Sequence, residues 1–327
     1  MLVASHVAAL GWETLAAAQL SGPWLGRLYL QPGQLPLLIN QEGQPLHLVS
    51  DQPSLGPYGL WLPPDLIERM RRLPHDLYAW RVGQTVWVGD EIIIHLPRSA
   101  PWDSHLSWQP PAEGREALGR GLALLSDWLL ARSPDGTLSS MIGELLQREH
   151  FDDVPLPDRT DLSAANRLLR WRASRLLTPL LGALAEGRMA QVEELSTRLA
   201  GLGGDQFPLG DQFVMGFVAG LRQWPHFTVE SSGLKAEPVL HRMVHSVVQR
   251  TTPLSRVSLF AAFLDQRWGW RWHALHHALW QTSDHADQRR DALHRHAEAW
   301  FEAMPDQAGA ALAGFVAPFL WHQRHVV

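Results

Sequence analysis

The stretch LGRLYLQPGQLPLLINQEGQPLHLV, Leu25 to Val49, sets the character of the N-terminal third. It splits into three apolar runs, Leu25–Leu30, Leu35–Ile39 and Pro45–Val49, parted by Pro32-Gly33 and Glu42-Gly43. Glycine and proline favour the backbone angles of turns, so each pair ends one extended run and starts another. Further out, Tyr58–Leu62, Thr85–Val88 and Ile92–Leu96 repeat the pattern, with Gly89-Asp90 between the last two. Short strands at regular spacing predict antiparallel pairing in a small barrel or sandwich. Pro64–Arg72, with Asp65 near its start, reads as one short helix among them.

Beyond the proline-rich stretch Pro97–Pro111 the apolar period changes. Glu113–Ala131 places Leu118, Leu122, Leu125 and Leu129 on one face, which is helical spacing. Helices are likewise expected at Leu138–Gln147, Ser163–Leu184, Met189–Leu199, Gln212–Trp224 and Pro238–Gln249. Four more follow at Ser255–Gln266, Arg271–Gln281, Ala286–Ala303 and Gln307–His322. The expected architecture is α+β: a β-rich domain over residues 1–110, then a larger, mainly helical domain over 111–327.

The composition narrows the function classes. Of 327 residues, 46% are hydrophobic and 19% charged, the balance of a globular chain with ample core. A net charge of −5 without a basic run argues against nucleic-acid binding. There are no cysteines, which removes disulfides, thiolate metal sites and a cysteine nucleophile. The first twenty residues lack a basic n-region and do not read as a signal peptide. No apolar run reaches the length of a membrane helix. A cytoplasmic protein without a membrane partner is the expectation.

The chemistry-bearing stretch is LAGLGGDQFPLGDQFVMGFVAGL, Leu199–Leu221. Four glycines and a proline lie between two helical patterns, and Asp211 is placed to cap the helix that follows. A glycine turn feeding a helix N-terminus can offer free amides and the positive dipole end to a carboxylate or phosphate. The same residues also fit a tight helix–helix connection, with Gly216 and Gly220 allowing close packing. The turn matches neither the P-loop nor the dinucleotide fingerprint.

Gly201-Leu202-Gly203-Gly204-Asp205-Gln206-Phe207-Pro208-Leu209-Gly210-Asp211-Gln212-Phe213-Val214-Met215-Gly216 resembles G-L-G-P-G-L-T-P-S-G-D-D-F-L-x-G. That is the signature of the family containing the AllH-like subunit of oxamate carbamoyltransferase. Gly201, Gly203, Pro208, Gly210, Asp211, Phe213 and Gly216 coincide in register. Weaker similarity extends to Arg250–Ser255, Gly56–Gly59, and Gly89–Ile94 leading to Trp102-Asp103. The resemblance implies a carbamoyltransferase-associated subunit of nitrogen metabolism that works with protein partners or further copies of itself. It implies a small carboxylate or carbamoyl ligand near Gly201, Gly203, Gly204, Pro208, Gly210 and Asp211. Thr251, Thr252 and Ser255 would supply hydroxyls. No cofactor or metal is implied.

Phe207, Leu209 and Gln212 stand where the family has Thr, Ser and Asp. Asp306–Gly314, DQAGAALAG, lacks a second Ser-Gly-x-Asp turn of the family. These departures leave open a non-catalytic interaction or scaffold subunit with a degenerate ligand site, and no catalytic residue is assigned.

Other groupings carry less. His241 and His245 stand at i and i+4, a zinc-compatible spacing that needs a third ligand such as His226 or Glu237. Trp268–Trp280 is dense in tryptophan and histidine, fitting either a packed helix or a protein-binding face. With 16 tryptophans and 17 histidines in the chain, such clusters say little. Lys235 is the only lysine and, in its turn-like surroundings, receives no role.

Overall fold

The computed structural model describes residues 4–31, 35–108, 115–133, 137–146, 161–203, 207–223, 236–280 and 286–325. The chain is α+β, with its strands in the N-terminal part and most of its helices after them. It divides into two compact units. One comprises Met1–Leu106 with Asp265–His273, the other Ser107–Leu264 with Ala274–Val327.

In the first unit, nine strands form one sheet: β1 (Ser5–Ala8), β2 (Gly11–Trp12), β3 (Leu25–Tyr29), β4 (Leu37–Asn40), β5 (Pro45–Val49), β6 (Gly59–Trp61), β7 (Tyr78–Val82), β8 (Thr85–Val88) and β9 (Ile92–His95). Their spatial order is β1-β9-β8-β7-β3-β4-β5-β6-β2. The expected small antiparallel barrel or sandwich needs correction. The sheet is an open half-barrel, and β1–β9 and β5–β6 pair in parallel.

Both edges are filled by one short segment. Ala9 N–H donates to the His95 carbonyl at 2.9 Å, extending the β1–β9 ladder, and Leu10 N–H donates to the Trp61 carbonyl at 2.8 Å, starting that of β2–β6. A single chain of eight residues thus serves two strands far apart in the sheet. The core inside includes Leu28, Leu38, Leu46, Leu60, Val86 and Ile94, together with Ile67 and Met70 of α2 (Pro64–Met70). These positions alternate along the strands with more exposed ones on β3, as the period of two requires.

Glu13 secures the turn out of β2. Its fully buried carboxylate caps α1 (Thr14–Gln19), accepting from Leu15 N–H at 2.7 Å and Ala16 N–H at 3.4 Å. It also accepts from Tyr58 N–H at 3.0 Å and from the Ser104 hydroxyl, with Arg267 at 3.6 Å. Tyr58 reaches this position with φ of +62° in the Gly56–Gly59 turn.

The second unit contains α3 (Arg115–Arg132), α4 (Leu138–Leu146), α5 (Ala164–Ala185), α6 (Met189–Leu199), α7 (Leu209–Gln223), α8 (Ala236–Val248) and α9 (Pro253–Phe263). It also has α11 (Ala286–Ala303) and α12 (Pro305–His325), while α10 (Trp270–Trp280) runs from the first unit into it. Leu118, Leu122, Leu125 and Leu129 are buried on α3 as their spacing predicts. Arg170 of α5 is buried and forks onto Glu144 of α4, with Nη1 to Oε1 at 2.7 Å.

Helices α7 and α12 approach backbone to backbone. A Cβ on Gly216 would lie 1.8 Å from the Ala311 carbonyl, and one on Gly314 would lie 2.0 Å from that of Phe213. The stretch Asp306–Gly314 is the small-residue start of α12 that makes this approach possible.

Candidate functional site

The glycine turn joins α6 to α7. Gly201 and Gly203 have φ of +76° and +71°, and a Cβ at Gly201 would sit 3.2 Å from the Arg250 carbonyl. Only glycine takes this left-handed path at little cost. Gly204 lies outside the described residues.

The helix begins at Leu209, so Asp211 lies in its first turn rather than at the cap expected from sequence. Pro208 immediately precedes the helix, with its ring already holding φ near the helical value. Its carbonyl accepts from the amides of Asp211 at 3.0 Å and Gln212 at 3.1 Å. The amides of Leu209 and Gly210 donate to the carbonyls of Gly203 and Leu202 at 3.3 and 2.9 Å. The first amides of the helix therefore have partners within the turn.

Asp211 is fully buried and turned inward. Its Oδ1 accepts from Gly201 N–H at 2.9 Å, and its Oδ2 accepts from the Thr251 hydroxyl. The buried Ser255 hydroxyl faces the same carboxylate and favours its charged form, although Oγ falls outside close hydrogen-bond geometry. Thr252 caps α9, its hydroxyl accepting from Ser255 N–H at 3.2 Å. Burial raises the Asp211 pKa above the ordinary carboxylate value, while Ser255, Thr251 and Gly201 act in the opposite direction.

The structure thus gathers Gly201, Asp211, Thr251 and Ser255 at one internal junction, with Pro208 and Gly210 alongside. What this junction does chemically is hold the turn against α9. The spacing of hydroxyls and acid in the sequence reveals the grouping but not that the carboxylate points inward.

The opposite side of the turn is open. Gly201, Leu202 and Ala200 meet Trp171, Arg172, Arg175 and Leu176 of α5 and Arg198 of α6 around a cleft of about 350 Å³. Arg175 stacks on the Trp171 indole, with its guanidinium carbon 4.5 Å from the ring centroid. Arg198 lies 3.8 Å from Glu194 on its own helix. These arginines are absent from the sequence-predicted site. Their only signal is the run Arg170-Trp171-Arg172-Ala173-Ser174-Arg175, ordinary in so arginine-rich a chain.

No protein family, curated protein or solved structure matches this chain.

The remaining groupings are soon placed. His241 and His245 are exposed on α8, and His245 stands edge-on to Phe260 at 5.8 Å. Among the described residues no three His, Asp or Glu side chains converge on a point that could hold a metal. His226, Lys235 and the side chain of Glu237 lie outside the described set. The α10 rings are largely packed: Trp272 against Trp268 at 5.4 Å, and His276 edge-on to Trp108 at 5.2 Å. His273 Nε2 is 3.0 Å from the Ser104 carbonyl, and burial lowers its pKa. No helix among the described residues is long and apolar enough to cross a membrane.

Proposed function

We propose that this protein is a divergent AllH-like subunit that binds a small carboxylate or carbamoyl ligand beside its glycine turn without transforming it. The observation carrying this reading is the inward orientation of Asp211. The acid and the Thr251 hydroxyl that could have served chemistry are engaged with the turn and each other, while the open side offers cations and apolar surface. Among the described residues, the lining of that cleft includes no carboxylate, hydroxyl or imidazole to act as acid, base or nucleophile. On this reading the protein works in nitrogen metabolism beside a partner subunit or further copies of itself, and a catalytic subunit supplies the transfer chemistry.

The test is a thermal-shift screen against oxamate, carbamoyl phosphate and short mono- and dicarboxylates, with a parallel carbamoyl-transfer assay. Ligands that bind only the folded state raise the melting temperature by mass action. The reading expects a shift with at least one anion and no turnover by the isolated chain. Turnover would refute the non-catalytic half, and no shift with any anion would refute the ligand. The second outcome would favour a scaffold subunit, a reading supported by Phe207 and Leu209 in place of hydroxyl residues. Leu168 and Trp171, exposed at 49% and 53%, favour it too.

A further inference from the structure

The arginine cleft carries more information than its sign. Resting on the proposal that an anion binds beside the glycine turn, we infer that the ligand is a dianion of the dicarboxylate class, gripped by Arg172, Arg175 and Arg198. Three guanidinium groups line one cleft, and among the described residues its lining contains no acid. Neither Arg172 nor Arg175 has a carboxylate partner among the described residues. Arg198 is shared with Glu194, at the long distance of 3.8 Å and with both side chains more than half exposed. Among the described residues, setting Glu194 against one arginine leaves a local charge of two, which a dianion neutralises and a monoanion does not.

Arg172, Arg175 and Arg198 are exposed, and their placement around one cleft is what gathers them. The Arg175 guanidinium lies over the Trp171 ring, a contact that favours one placement of the cation beside the cleft. Arg172 and Arg175 are three residues apart on α5, so they share a helix face, while Arg198 comes from α6. Cations from two helices suit a ligand with an anionic group at each end. A planar fork binds a carboxylate through two parallel hydrogen bonds, which is the reason for choosing carboxylate over a point anion such as chloride. At about 350 Å³ the cleft lies at the small end of ligand pockets, matching a short diacid.

Asp211 enters as a positioning residue. Its Oδ1 holds the amide of Gly201, which forms the cleft wall, so the family-like part of the sequence shapes the site that the arginines fill.

Isothermal titration of the full chain with succinate, malonate and acetate in low-salt buffer tests the inference. The diacids should bind about tenfold or more tightly than acetate, and raising the salt should weaken them. Arg172→Gln and Arg198→Gln, both at exposed positions, should each weaken diacid binding about tenfold at an unchanged melting temperature. Asp211→Ala, which removes the acceptor of the Gly201 amide, should weaken it as well, and a melting temperature restored by added osmolyte should not restore the affinity. Equal binding of acetate and diacids would overturn the dianion assignment while leaving an anion site in place. Diacid binding indifferent to both arginine variants would move the site elsewhere and overturn the assignment to the cleft. No binding of any of the three would remove the underlying reading together with the inference.

Discussion

Glu13 in the sheet unit and Asp211 in the helical unit are both fully buried carboxylates, and both hold a turn, yet they are stabilised differently. Glu13 receives three backbone amides and a hydroxyl and has Arg267 at 3.6 Å. Asp211 receives one amide and the Thr251 hydroxyl, faces Ser255, and has no cation in contact among the described residues. A buried charge with a counter-charge and a full set of donors is costly to disturb, because removing it strands its partners. A buried acid held only by neutral donors keeps its desolvation cost, which explains the raised pKa of Asp211. The difference is one of donors and counter-charge, full at Glu13 and sparse at Asp211.

The largest expected effect follows directly. Glu13→Ala removes the α1 cap, strands Tyr58 N–H and the Ser104 hydroxyl, and leaves Arg267 with Asp103 at 2.8 Å, with an expected loss of about 3–5 kcal/mol in urea unfolding. A loss below about 1 kcal/mol would break the contrast between the two acids.

Acid should weaken the sheet unit separately. Burial pushes His47 of β5 down to about 4, so the folded state binds its proton later than the unfolded chain does. The stability associated with neutral His47 is therefore complete above the unfolded value of about 6.5 and is lost as pH falls toward 4. Between pH 7 and 4.5 the wild-type should lose about 2 kcal/mol more than His47→Gln, measured by urea midpoints. Parallel curves would show that His47 titrates normally.

Asp211→Ala should cost less than Glu13→Ala, about 1–3 kcal/mol, because it strands fewer donors. The smallest effect has the opposite pH sign to His47. With its folded pKa raised, Asp211 gives stability that is full below about 3.9 and declines as pH rises through the folded value. Asp211→Asn mimics the protonated acid, so the wild-type should lose ground to it as pH climbs from 4 toward neutrality. A stability gap between the two that does not change with pH would mean that Asp211 stays ionised throughout.

Periodicity and punctuation made most of the elements legible. The six runs read between Leu25 and Leu96 are strands, β7 (Tyr78–Val82) is not among those runs, and α3, α5, α6 and α12 lie close to their apolar stripes. The first nineteen residues hold β1, β2 and α1, whose brief strands are fixed by partners in distant parts of the sheet. Sheet topology was equally hidden, because the alternation at β1 or β5 does not encode the direction of its neighbour.

At the candidate site the backbone was more legible than the chemistry. Gly201, Gly203 and Gly210 announce a turn, but whether Asp211 faces ligand or interior depends on Thr251, forty residues later. Arg172, Arg175 and Arg198 left no pattern, because two helices bring them together.

The segment that fills both edges of the sheet also orders events during synthesis. Ser5–Trp12 emerges before its partners Gly59–Trp61 and Ile92–His95, and Glu13 emerges long before Arg267. Closing such distant contacts is slow, and the waiting segment is apolar. A nascent chain halted near residue 106 would carry every described strand but lack the cation facing its buried glutamate. This segment thus depends on residues made after it, and a chaperone would meet the unit complete in its described strands but not in charge.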